Sequence, residues 1–178
     1  MDDFILTLHS YNVYLVILAG AITGIWGLIL FFSTKKLVQN VSKPDAKDGD
    51  ATTGEGQPVA SETAVTSISV ANSAMSERAK PWRRALTVTV VLSLLQGLLG
   101  IIMVIMGKKP GPPGDSLYYL HFVYGGIVAL VIPVATTYAT GGKNVRRDVL
   151  IYSIAALILT AAAVRAWMTG PTVFGLLP

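Results

Sequence analysis

The chain has 178 residues, 52% of them hydrophobic and only 13% charged, with a mean hydropathy of +0.58. A water-soluble domain of this size needs many more charges to cover its surface. The net charge of +4 and pI near 9.4 would point to nucleic acid in a soluble protein, but here the basic residues flank apolar runs and read as topology, not as a nucleic-acid surface.

The first apolar run, 4–32, follows an acidic start, Met1-Asp2-Asp3, where a cleaved signal would be basic, so it is expected to stay as a helix. Residues 42–76 are small, polar and weakly acidic, contain no aromatic residue, and are expected to form a flexible loop, with VTSISVA able to act as a short strand beside a partner's edge. The stretch 76–84 reads as an interfacial lead-in, with Pro81 setting a turn and Trp82 in the headgroup layer. Three more runs follow, at 86–106, 117–138 and 149–168.

Each run is about long enough to cross a hydrocarbon core of roughly 30 Å as a helix, at about 1.5 Å per residue. None alternates polar and apolar residues as barrel strands do. The expected fold is therefore an all-α, integral membrane four-helix bundle, one transmembrane domain over residues 1–178.

Four crossings put both termini on one side, and the long loop and the loop between spans three and four on the other. The loop side carries 11 of the 14 basic residues. Basic residues near span ends are retained in the cytoplasm, so both termini are expected to be extracytoplasmic and the long loop between helices 1 and 2 cytoplasmic, in the inner (cytoplasmic) membrane.

Close helix contact in lipid needs small residues. The first span supplies Gly20, Gly24 and Gly27, and the third Gly125, Ala129 and Pro133. Among embedded polar residues, His9 and His121 lie at nearly the same depth near the outer surface, with Arg165 at a similar level. A b-type haem needs two axial nitrogens from facing helices, small residues beside the porphyrin and a cation for its propionates. His9 and His121 are the candidate axial and metal ligands, and Arg165, helped by Tyr124 or Tyr118, the candidate propionate partner. Each histidine also has a plainer reading, as a hydrogen-bonding side chain near the interface. Gln96, near the middle of the second span, is expected to face into the bundle, toward a hydroxyl such as Thr23 or a quinone carbonyl. Without cysteine, disulfides, thiolate chemistry, iron–sulfur ligation and covalent c-type haem attachment are excluded.

Leu8-His9-Ser10, Leu95-Gln96-Gly97-Leu98-Leu99-Gly100, Leu120-His121-Phe122-Val123-Tyr124-Gly125 and Arg165-Ala166-Trp167-Met168-Thr169-Gly170 together resemble small bacterial four-helix membrane proteins of the cytochrome b type. The resemblance covers the four spans and implies His9 and His121 as ligands. A second histidine pair, present in better-known members, is missing from this chain.

Two functions follow as expectations. One is an electron-transport or quinone-associated subunit carrying one bis-histidine haem near the extracytoplasmic face. The other is a non-catalytic accessory subunit of a larger respiratory or photosynthetic complex, without a redox cofactor. Partners are the lipid bilayer and other membrane subunits, with no nucleic acid, and nothing supports a stand-alone enzyme. A transporter has little support, because no acidic residue lies at the midplane.

Overall fold

The computed structural model describes residues 2–41, 60–108 and 118–169, which form four helices: α1 (Asp2–Val41), α2 (Ala60–Ile105), α3 (Tyr118–Thr136) and α4 (Val145–Met168). Each contains a stretch long and apolar enough to span a membrane: Phe4–Ser33, Ser73–Ile105, Tyr119–Thr136 and Val145–Met168. The radial distribution of side chains is that of a protein in lipid. Ile22, Ile25, Ile29, Leu98, Ile101, Leu130 and Ile158 are exposed, while Thr23, Thr89, Ser93, Gln96 and Ser153 are buried. Lipid cannot hydrogen-bond a hydroxyl or amide, so polar side chains turn inward and apolar ones outward. The protein is a multi-pass, all-α membrane four-helix bundle.

The helices form a square in which α1 packs against α4 and α2, and α3 against α4 and α2, leaving α1 and α3 on a diagonal. The α1–α4 side is held by glycine. A methyl group added at Gly20 would fall 2.5 Å from the Thr160 hydroxyl, and one at Gly24 would fall 2.7 Å from Leu157. At Gly27 it would overlap the Ser153 hydroxyl and lie 2.7 Å from the Trp82 ring nitrogen. These glycines thus let two backbones approach to a distance that no larger residue permits. A central core of Val16, Val128, Ile132, Leu159 and Ala163 lies in mid-bundle, and a second cluster of Met75, Ala79, Trp82, Val145 and Val149 closes one end.

The second helix departs from the sequence expectation. It begins at Ala60, so 60–76 are helical and neither a flexible loop nor a strand; residues 42–59 lie outside the described part. The reason is visible in composition: Pro44, Gly49, Gly54, Gly56 and Pro58 fall before Ala60, and residues 60–76 contain neither glycine nor proline. Pro81 sits inside the helix and does not set a turn before it. Its missing N–H leaves the Glu77 carbonyl without its usual helical bond. Trp82 is only 1% exposed and donates its Nε1–H to the Thr23 carbonyl at 2.9 Å, so it is a buried bracket between α2 and α1, not a headgroup anchor.

Helix α2 ends in a glycine cap. Gly107 has φ +73°, and the Lys108 and Gly107 amides bond back to Met103 and Val104. Helix α4 starts at Val145, four residues before the apolar run at 149–168, because Asn144 caps it and Asp148 ties it to the preceding turn. The Asp148 carboxylate accepts from the Thr140 amide (2.6 Å), the Thr140 hydroxyl (2.8 Å) and the Gly142 amide (2.8 Å). Gly141 and Gly142, both with positive φ, make that turn possible.

Two glycines separate packing from open space. Gly27→Ala should destabilise the bundle by about 1–3 kcal/mol through overpacking. Gly125→Ala, where an added methyl group meets nothing within 4 Å, should leave stability within about 0.5 kcal/mol. Thermal unfolding in detergent micelles checks both, and equal losses would contradict the assignment of Gly27 to a contact and Gly125 to a void.

Candidate functional site

In the half of the bundle away from Trp82, the diagonal helices α1 and α3 bring His9 and His121 together. Their ring centres are 6.2 Å apart and their planes meet at 49°. Both line a cavity of about 480 Å³ with predominantly apolar walls, together with Gln96, Gly97 and Gly100 of α2 and Gly125 and Gly126 of α3. These α3 glycines differ from those on α1. Added methyl groups at Gly125 and Gly126 meet nothing within 4 Å, and one at Gly100 meets only the His9 ring at 3.8 Å. Here glycine keeps a wall thin instead of bringing two helices into contact.

The polar groups form a directed chain. The Leu92 carbonyl accepts from Asn12 Nδ2 at 3.1 Å, and the same Asn12 nitrogen donates to Gln96 Oε1 at 2.8 Å. Gln96 Nε2 then lies 3.3 Å from His9 Nδ1 and 3.2 Å from His9 Nε2. A carbonyl only accepts and an amide N–H only donates, so the direction of every bond follows from Leu92. On the facing helix, His121 donates Nδ1–H to the Ala166 carbonyl at 2.9 Å, which places that ring's lone pair on Nε2.

The sequence candidates therefore divide. His9, His121 and Gln96 meet at one place. Gln96 pairs with Asn12 and His9 and not with Thr23, which bonds the Thr89 hydroxyl at 2.9 Å further along the bundle. Arg165 is exposed, with its guanidinium carbon 5.8 Å from the centre of the Tyr124 ring, and neither side chain lines the cavity. Lys108 does line it, at the end of α2, as does Trp167, whose ring donates to the Tyr14 hydroxyl at 3.2 Å.

Sequence reasoning missed Asn12 and Lys108. Asn12 carried a signal, for it lies three residues after His9 on the same helix face, inside an apolar run where an amide must find a partner. Lys108 carried none, because a lysine just beyond a span is ordinary.

A metal ion held by two ring nitrogens at about 2 Å each would set the ring centres roughly 6 Å apart, and the observed separation fits. The thin glycine wall fits a flat macrocycle as well. Hydrogen-bond polarity fits less well. Axial ligation takes a lone pair from each ring, and the lone pair of His9 receives the Gln96 amide. Among the described residues no group of three or more His, Asp or Glu side chains comes together as a metal site.

The fold defines the class as a small four-helix integral membrane bundle. No protein-family model, curated protein or solved structure matches the chain.

Isotope-labelled histidine nitrogens give a direct check on the cluster. In bilayers at neutral pH, magic-angle NMR should find both rings neutral, with His121 in the Nδ1–H tautomer. Gln96→Leu should move the His9 signals and leave those of His121 in place. A protonated pair, or an Nε2–H form of His121, would contradict the bond directions.

Proposed function

We propose that the chain is a non-catalytic accessory subunit of a larger membrane complex, in an inner (cytoplasmic) membrane. The observation that carries this reading is the length of α2. Its 46 residues reach about 69 Å at about 1.5 Å per residue, against a hydrocarbon core of roughly 30 Å. The portion 60–72 is mostly polar and continues the helix beyond the apolar stretch Ser73–Ile105. Met75, Ala79 and Trp82 are buried against the rest of the protein, so the arm leaves the bundle in a set direction. A preset polar arm is of use to a subunit that must present a surface to other proteins. The apolar flanks of the helices supply contact with lipid and with neighbouring spans.

The distribution of basic residues supports an orientation with both termini extracytoplasmic and the arm on the cytoplasmic side. A reporter fused after Pro178 should be active outside the cytoplasm, and one inserted at Gly54 inside it. The reverse pattern would turn the molecule over and place the histidine cluster at the inner face.

A second reading has one specific observation in its favour, the 6.2 Å separation of the two imidazoles beside a glycine-walled cavity. In it, His9 and His121 hold one haem b, which would supply one-electron transfer. This reading requires Gln96 to turn its carbonyl toward His9 and give up its present bond with Asn12.

Mild detergent extraction from native membranes separates the two. The accessory reading expects a particle well above the mass of one chain, reduced in size by exchanging the charges of Glu77 and Arg78, and no b-type absorbance belonging to this chain. A low-spin b-type spectrum that disappears in His121→Ala would establish the second reading instead.

A further inference from the structure

We infer that the cavity is a socket for one acyl chain of an anionic phospholipid, drawn from the leaflet at that end of the bundle, with the headgroup phosphate at Lys108. A subunit of a complex and a protein acting alone would hold such a lipid in the same way.

The shape comes from two antiparallel helices that meet at one level and separate above it. At Gly97 of α2 an added methyl group would fall 2.9 Å from Ala129 of α3, so the helices touch there. One turn nearer the end of α2 the contact is lost. A methyl group at Gly125 meets nothing within 4 Å, and one at Gly100 meets only the His9 ring, at 3.8 Å. The space is thus a wedge, closed at Gly97 and Ala129 and widening toward Lys108. Ile101 and Val104 of α2 and Phe122 and Leu130 of α3 line the wedge and are also exposed on the outside of the bundle, so it opens sideways into lipid.

Its dimensions are those of one chain in one leaflet. Along α3 the lining runs from His121 to Leu130, nine residues, or about 14 Å at about 1.5 Å per residue. Half of a hydrocarbon core of roughly 30 Å is about 15 Å. A water takes about 30 Å³ of liquid and a methylene group nearly as much, so the cavity of about 480 Å³ holds on the order of 16 methylene groups, the length of a common acyl chain.

The walls suit a chain without polar atoms. Gln96 bonds Asn12 and His9, and His121 bonds the Ala166 carbonyl, so the polar side chains of the wall have partners within the protein. It is a ring carbon of His9, Cε1, that lies nearest Gly100. Among the described residues that line the cavity, Lys108 is the one with a charge, and none is a carboxylate. Lys108 stands at the open end, just past the glycine cap of α2. An ammonium has three donors, so it can bind a phosphate oxygen alongside a partner within the protein. The sideways opening favours a lipid of two chains over a free fatty acid. One chain enters the wedge while the second lies outside, against Ile101 and Val104.

Phospholipids brominated on one acyl chain quench a tryptophan that they touch, which gives the test. Trp167 lines the cavity, whereas Trp26 and Trp82 pack at the other end of the bundle, and comparison with Trp167→Phe isolates its signal. In nanodiscs of phosphatidylcholine, brominated phosphatidylglycerol should half-quench Trp167 at a mole fraction roughly fivefold lower than brominated phosphatidylcholine, the effect of one lysine beside a lipid of net negative charge. Lys108→Gln should bring the two lipids level. Arg165→Gln, which removes a cation at the same end but outside the cavity, should leave the fivefold difference in place. Gly125→Leu, which fills the wedge, should reduce quenching by both lipids to one low level. Equal quenching by the two lipids in the unaltered protein, a difference that survives Lys108→Gln, or quenching unchanged by Gly125→Leu would overturn the inference. A brominated fatty acid that displaces phosphatidylglycerol at a lower mole fraction would overturn it too, in favour of a single-chain ligand.

Discussion

The close approach of α1 and α4 sets the spacing of everything else. With glycine at three successive turns of α1, the backbone of one helix comes within van der Waals reach of Thr160, Leu157 and Ser153 on the other. In lipid no hydrophobic force draws helices together, so this contact depends on dispersion and on side chains small enough to permit it. Helix α4 also contacts α3 along most of its length and supplies the most thoroughly buried of the four spans. With α1 and α3 both fastened to α4, the α2–α3 side is the loosest of the square. The cavity lies on that side, lined by Gly100, Gly125 and Gly126, while at Gly97 the two helices touch, an added methyl group falling 2.9 Å from Ala129.

The buried polar groups turn that geometry into chemistry. Toward the Trp82 end they satisfy one another: Thr23 with Thr89, Trp82 with the Thr23 carbonyl, Ser153 with the Val149 carbonyl. Toward the other end the chain from Leu92 through Asn12 and Gln96 runs to the cavity and ends on an imidazole. That network therefore ends on a side chain in the cavity wall and not in a closed contact between two helices. This contrast distinguishes structural polar contacts from the histidine cluster. It depends on where each network ends and not on how many polar residues it contains.

Much of the fold was legible because lipid imposes a simple rule on sequence. Four long apolar runs without alternation can only be helices, and the spans lie close to where hydropathy puts them. Helix ends outside the hydrocarbon were not legible in that way. The reach of α2 to Ala60 depends on the absence of helix breakers over a polar stretch, a weaker signal than hydropathy, and the burial of Trp82 depends on space that Gly27 leaves on another helix. In the site, equal depth brought His9 and His121 together on paper and in space, since depth follows from counting residues along straight helices. Which face Arg165 occupies, and whether Gln96 meets Thr23 or Asn12, depends on the rotation of each helix about its axis. The sequence contains that rotation only through subtle packing preferences.

The pairing of α1 with α4 also has a consequence for synthesis. Translation delivers α1 to the membrane first and α4 last, so the glycine face of α1 must wait in lipid until three further helices have been inserted. Until then the bundle lacks its tightest seam, and His121 lacks the Ala166 carbonyl that sets its tautomer. The polar cluster is therefore completed only by the last helix. A ribosome stalled before α4 would leave a membrane-inserted intermediate with the right spans but no finished cavity.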